Sequence, residues 1–385
     1  MESEYLVNDL STTPKKYKDY EFNLRELAGS MGDFGTLFPL AVSYIAINGM
    51  NPAGLFIMLG LTNIALGLIY KLPMPLQPKK IIAVTAISQK WDPSLIHASG
   101  FGLGILWLFL SLTGLLQKLV KITPDFIVRG IQLALGITLA IQAVKWAAPS
   151  PWLGVLAIAL VVLLRDNRYA PASLVLMALG VGIVAWQGNM PNSWDFSLTL
   201  PPLSIPKLQD VWKAMLLAGF AQIPLSITNA VIAPAALIRE YFPEKAVSEK
   251  KLLLNMGWMN VVSSFFSGMP MCHGAGGLAG QYYFGARTGG ASILEGLIEV
   301  AIGLFLSRSI ADIMANFPMP LIAGMMLMVG FQLARTVRKL RGWELGLAIG
   351  TAILSVFTNI GIGFIGGLLA TLVYRKFVLS SKQEA

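Results

Sequence analysis

Two short runs of proline and glycine carry the most specific chemistry in this 385-residue chain. Pro73-Met74-Pro75-Leu76-Gln77-Pro78 precedes one apolar stretch, and Gly268-Met269-Pro270-Met271-Cys272-His273-Gly274-Ala275-Gly276-Gly277 precedes another. Pro78 suits the first turn of a helix, where its missing N–H would lack a partner in any case. Glycines at 274, 276 and 277 let the backbone approach a ligand closely. Two half-helices starting here, N-terminus toward N-terminus, would aim free N–H groups and two positive dipole ends at one point, which favours an anion. Kinked helices with small residues for tight packing are the plainer alternative. The second run misses the G-x-G-x-x-G spacing because Gly280 comes one residue late, and no G-x-x-x-x-G-K-[ST] occurs. Dinucleotide binding and ATP drive are therefore disfavoured.

Ionisable groups inside apolar stretches are the next candidates. Asp33 lies within Gly29-Ser30-Met31-Gly32-Asp33-Phe34-Gly35-Thr36, about nine residues into an apolar span, as an ion ligand, a proton carrier or the partner of a buried Lys. A purely structural carboxylate, capping a broken helix or pairing with Lys79 or Lys80, is its plainer reading. Gln222, Ser226, Thr228 and Asn229 flank Pro224 and offer neutral donors suited to an oxyanion, although Ser and Thr in such helices also bond their own backbone. Glu295 and Glu299, four apart, share one helix face and are candidates for a proton path. Cys272-His273 resembles a nucleophile and base, but adjacent side chains diverge and no orienting third group is evident. No enzyme activity is expected.

Composition identifies the solvent in which these groups must work. The chain is 55% hydrophobic and 13% charged, about half the charged fraction of an average soluble domain, with a mean hydropathy of +0.66. An ordinary cytosolic enzyme, disorder and coiled coil are excluded, leaving an all-α integral membrane protein with many spans. One cysteine and two histidines cannot close a zinc site of four protein ligands, so no metal or cofactor is expected. The polar N-terminus lacks a signal-peptide pattern, so the first apolar span should insert as mature structure.

Apolar stretches punctuated by Pro, Gly and charge predict about fourteen segments, near 24–48, 52–70, 78–90, 94–118, 124–145, 151–165, 170–187, 208–236, 249–267, 273–286, 290–307, 318–334, 343–359 and 361–378. Several are shorter than the roughly 20 residues a bilayer needs. With that assignment, all but Lys90, Lys145, Lys207, Lys213 and Arg308 of the 29 Lys and Arg fall on one side. The bias puts both termini, residues 1–20 and 379–385, in the cytoplasm and reads the net charge of +9 as topology rather than nucleic-acid binding.

The two halves share ordered anchors. Leu27-Ala28-Gly29 recurs as Leu217-Ala218-Gly219, Met74-Pro75 as Met269-Pro270, and Pro124 with Gly130 and Gly136 as Pro318 with Gly324 and Gly330. The spacing predicts seven-segment repeats at 21–187 and 208–378, joined by an extracytoplasmic linker at 188–207. An odd number of crossings makes them inverted, with half-helices 3 and 10 meeting at the midplane.

At these motifs the sequence resembles the molybdate transporter family, a branch of the sulfate-permease-like superfamily. Three stretches carry the resemblance: Glu26 through Leu40, Pro73 through Lys80, and Met269 through Gln281 with Phe284-Gly285-Ala286-Arg287-Thr288-Gly289. It spans nearly the whole chain and implies a core domain of segments 1–4 and 8–11 moving against a gate domain of segments 5–7 and 12–14. It also implies molybdate as substrate, ahead of sulfate or tungstate. Gln77, Lys79, Cys272, His273, Gly274, Ala275 and Gly276 are expected to bind the oxyanion, with Thr36, Gln222, Ser226 and Asn229 completing the shell. Asp33, then Glu295 and Glu299, are expected to couple a proton or cation. Lys79 departs from the pattern, standing where plant members are expected to carry methionine, and no cytoplasmic regulatory domain is expected after the last span. A nucleobase permease of the same fold and a passive anion channel are the rival expectations. Membrane lipid and, by analogy, a second copy in a homodimer are the expected partners.

Overall fold

A computed structural model describes residues 18–115, 124–164, 172–191, 194 and 196–374. The expected tails, and the expected segment ends at 116–118, 165, 170–171 and 375–378, lie largely or wholly outside these residues. Helix α1 (Leu24–Ser30) starts where Asn23 accepts the Glu26 N–H at 2.9 Å, and a 3₁₀ turn at Met31–Asp33 joins it to α2 (Phe34–Ala46). Then follow α3 (Pro52–Tyr70), β1 (Gln77–Pro78), α4 (Lys80–Gln89) and α5 (Pro93–Thr113), with Pro52 and Pro93 in first turns. The remainder of the first half is α6 (Asp125–Ala147), α7 (Pro151–Leu163) and α8 (Ala172–Trp186).

The second half opens with one long span assembled from α9 (Leu208–Ala214), α10 (Phe220–Ser226) and α11 (Ala233–Tyr241). Pro224 and Pro234 donate no N–H, and the ladder widens to π turns at Met215–Gly219 and Ile227–Ile232. It continues through α12 (Glu249–Phe265), β2 (Met271–Cys272), α13 (Ala275–Phe284), α14 (Gly289–Phe305), α15 (Ser307–Ala315), α16 (Met319–Ala334), α17 (Gly342–Phe357) and α18 (Ile360–Tyr374). A helix lies in every expected segment. Among the described residues, five helical stretches are long and apolar enough to cross a bilayer, while α13 and α14 meet at a bend of 102°. The long apolar helices make this an integral membrane protein.

Two elements were not expected. Strands β1 and β2 are too short to leave a period in the sequence, and α15 falls where a loop was read because its nine residues include Arg308 and Asp312 and are too few to span.

Helix pairs pack backbone to backbone through glycine, the usual route to contact where lipid leaves little hydrophobic drive between helices. α3 lies on α14, where a Cβ added to Gly60 would stand 2.5 Å from the Gly296 carbonyl oxygen. α5 lies on α12, and α6 on α16, where the same addition at Gly136 would stand 2.6 Å from the Gly330 carbonyl. At one membrane face Asp19 bridges Lys71 at 2.6 Å and Lys245 at 3.1 Å, latching the segment before α1 to the ends of α3 and α11. The hydrogen bonds from Lys71 and Lys245 hold the Asp19 carboxyl below its ordinary range.

Candidate functional site

The two Pro/Gly runs meet. β1 and β2 pair antiparallel, Gln77 opposite Cys272 and Pro78 opposite Met271, and the Lys79 N–H donates to the Pro270 carbonyl at 2.9 Å. Each strand leads directly into a half-helix, so the N-termini of α4 and α13 lie on either side of the crossing. Asn260 on α12 brackets Met271, accepting its N–H at 2.8 Å and donating to its carbonyl at 2.8 Å. On the other side Ser292 on α14 accepts the Met74 N–H at 3.0 Å. Backbone groups of an extended segment inside a membrane must find such partners within the protein.

The two helix ends are not alike. The α4 end is already capped: the Gln222 Oε1 accepts the Ile81 N–H at 2.8 Å, and the Gln222 amide donates to Ser226 Oγ at 2.9 Å. At α13 the first-turn N–H groups of Ala275, Gly276 and Gly277 have no intrahelical carbonyl to meet. Gly276 is exposed, Ala275 is half-buried, and nothing lies within 4 Å of where a Gly276 side chain would begin. The open, positive end of the crossing is therefore that of α13.

Asp33 reaches this end from the 3₁₀ turn. It is 4% exposed, its Oδ1 accepts from the Gln77 amide, and its Oδ2 has no hydrogen-bond partner. Gly277 leaves room for it, since a Cβ there would stand 2.7 Å from all three carboxylate atoms. The Gln77 amide in turn fills the space beside Gly274. Lys80, half-buried in the first turn of α4, interacts electrostatically with both Asp33 and Cys272. Sequence reasoning left Lys80 out of the binding set; its side chain, one position past Lys79, is the more accessible of the two.

Other expected residues divide between the crossing and its surroundings. Lys79 is fully buried, its ammonium 5.3 Å from the Trp107 ring centroid and without a hydrogen-bond partner. Cys272 and His273 are buried at the crossing, with the His273 ring edge-on to Tyr70 at 6.1 Å. Thr36 is buried one turn beyond Asp33, and Asn229 is half-buried in the second π turn; neither makes a side-chain hydrogen bond to the crossing. Glu295 and Glu299 stand apart on α14. They line an apolar cavity of about 410 Å³ beside Phe34, Leu37 and Met177, and Glu299 accepts from Asn63 at 2.7 Å while Glu295 Oε2 has no hydrogen-bond partner. Among the described residues no group of three or more His, Cys, Asp and Glu is placed to hold a metal ion.

The family described as molybdate transporter of MFS superfamily matches residues 25–139 and 214–333, which include both halves of the crossing. Molybdate transporter 1 of Arabidopsis thaliana is 31% identical over 92% of this chain and 89% of its own length. Molybdate transporter 2 of the same plant is 32% identical over 83% of this chain and 80% of its own. Among solved structures, the transmembrane domain of the cyanobacterial bicarbonate transporter BicA superimposes with a TM-score of 0.67 at 16% identity, covering 88% of this chain and 96% of that one. At that identity the likeness is one of fold. Sequence match and fold agree over both halves, and the chain belongs to the molybdate transporter family.

Proposed function

We propose that this protein takes up molybdate, or a closely similar tetrahedral oxyanion, by secondary active transport with alternating access. The observation that carries the reading is the α13 N-terminus, open at Ala275 and Gly276 with the Asp33 carboxylate beside Gly277, joined through a strand pair to a second half-helix. Relatives named molybdate transporters supply the substrate. In this reading the anion sits on the α13 N–H groups between Gln77 and Lys80, with Gly274, Cys272 and His273 forming the wall and Lys79 adding fixed positive charge behind it. Gln222 and Ser226 hold the α4 end in place, and Thr36 and Asn229 line the approach.

The same reading has two inverted seven-segment repeats. The pairings α3 with α14, α5 with α12 and α6 with α16 exchange among themselves when the halves are swapped, which supports it. The core comprises segments 1–4 and 8–11 and the gate segments 5–7 and 12–14, in the plasma membrane with both termini cytoplasmic. Importing a dianion against a negative-inside potential costs about 4.6 kcal/mol per 100 mV, so uphill uptake needs accompanying positive charge. Asp33, buried and hydrogen-bonded to Gln77, is the group proposed to carry it as a proton. Uptake of molybdate into proteoliposomes under an imposed pH gradient tests this. Concentrative uptake that is abolished in Asp33→Asn, with calorimetric molybdate binding retained, is the expected result. Unchanged uptake and pH dependence in that variant would remove Asp33 from coupling, and failure of wild-type protein to bind molybdate would remove the substrate.

A further inference from the structure

Away from the crossing, a second feature has the form of a ligand site. Helices α7 and α16 enclose a groove of about 400 Å³ whose walls include Val161, Val162, Leu327 and Phe331 and whose end is closed by Gln332 and Arg335. From Gly324 to Arg335 the groove follows eleven residues of α16, about 16 Å of helix, roughly half of a hydrocarbon core about 30 Å thick. It is thus one leaflet deep, apolar along its length and basic at its mouth.

Arg335, Arg338, Lys339 and Arg341 are all exposed within seven residues, and none forms an ion pair among the described residues. Five basic side chains elsewhere have carboxylate partners among the described residues. Lys71 and Lys245 share Asp19, Arg239 meets Glu249 at 2.7 Å, Arg129 meets Asp125 at 2.5 Å, and Lys18 meets Glu21 at 3.2 Å. Glu344, at the start of α17, makes no pair with the cluster. The Arg338 guanidinium lies over the Phe331 ring at 5.8 Å, which brings a second charge to the groove. The cluster is itself held in place, because Arg129 donates to the Thr336 carbonyl at 3.0 Å. Topological charge accounts for basic residues on this side; what sets these apart is that four of them, within seven residues, stand at the end of an apolar groove.

We propose that this groove binds an anionic phospholipid, one acyl chain lying between α7 and α16 and the phosphate resting on Arg335 and Arg338. The apolar wall selects a lipid over free phosphate, and the two guanidiniums select an anionic headgroup over a zwitterionic one. Both helices belong to the proposed gate, so the bound lipid anchors the gate to one leaflet while the core moves.

Native mass spectrometry of the detergent-solubilised protein tests this, with phosphatidylglycerol and phosphatidylcholine of identical chains added in equal amounts. Each basic side chain near an anionic headgroup contributes about five-fold, so Arg335→Gln with Arg338→Gln should weaken phosphatidylglycerol retention about 30-fold and leave phosphatidylcholine unchanged. Val162→Trp, which fills the groove without altering charge, should lower retention similarly. Thermal melts of both variants should match the parent, separating lost lipid from lost fold. Full phosphatidylglycerol retention in either variant overturns the proposal. So does displacement of the lipid by millimolar inorganic phosphate, or a protein dimer that closes the groove with no lipid present.

Discussion

Gly277→Ala offers the sharpest test of the arrangement at the α13 end. The added methyl would stand 2.7 Å from Cγ, Oδ1 and Oδ2 of Asp33, whereas ordinary contact begins at 3.4 Å. The α13 backbone is fixed by its own hydrogen bonds and by β2, so the carboxylate must retreat by about 0.7 Å or more. Retreat pulls Oδ1 away from the Gln77 amide, breaking a charged hydrogen bond worth about 1.5–3 kcal/mol. If that bond positions Gln77 at the anion, molybdate affinity falls about 10- to 150-fold. Calorimetric titration of purified protein reads the change directly. The same substitution placed in an Asp33→Ala background should cost little, because the methyl then meets empty space. An equal loss in both backgrounds would refute the reasoning and leave Gly277 with a packing role only.

Three further outcomes follow from contacts already described. Asn260→Ala strands both backbone groups of Met271, and the midpoint of thermal unfolding should reveal a loss of about 2 kcal/mol or more, whereas Asn255→Ala, half-buried on the same helix, costs less. Gln222→Ala leaves the buried Ile81 N–H without its acceptor at a cost of about 1–3 kcal/mol; Gln222→Glu should recover the stability yet weaken anion binding, since a carboxylate caps the same helix end but repels the substrate. The Asp19 latch has a carboxyl below its ordinary range, so its contribution is fully present above pH 4 and is lost only as pH falls further. Hydrogen exchange at residues 18–23 should therefore show constant latch protection from pH 5 to 8 once intrinsic rates are corrected. A change in that window would contradict the latch geometry.

The crossing was legible because proline and glycine punctuate the chain just before α4 and α13, and because equivalent runs recur at nearly one offset in the two halves. Most helix positions were legible from apolar stretches bounded by Pro, Gly and charge, α15 being the exception. The strand pair was not, since two residues have no periodicity and their partners lie far along the chain. Nor could spacing reveal that Gln222 caps α4 from another helix, which makes the two half-helix ends unequal. Lys79 and Lys80 are indistinguishable by type, and only the register of α4 buries the first against Trp107 and leaves the second half-buried near Asp33. The position of Glu295 and Glu299 on an apolar cavity depends on α2 and α8 packing alongside α14, a tertiary fact with no local signature.

The pairing of Gln77 with Cys272 also sets a timetable for the nascent chain. About 195 residues must be synthesised after β1 before its partner strand exists, which at roughly 5–20 residues per second takes about 10–40 s. During that interval the N–H groups of Met74, Lys79 and Ile81 lack the acceptors that Ser292, Pro270 and Gln222 later supply. Until then those three groups must be solvated by water or paired with something other than their final acceptors. The crossing is complete only when the second half delivers its strand.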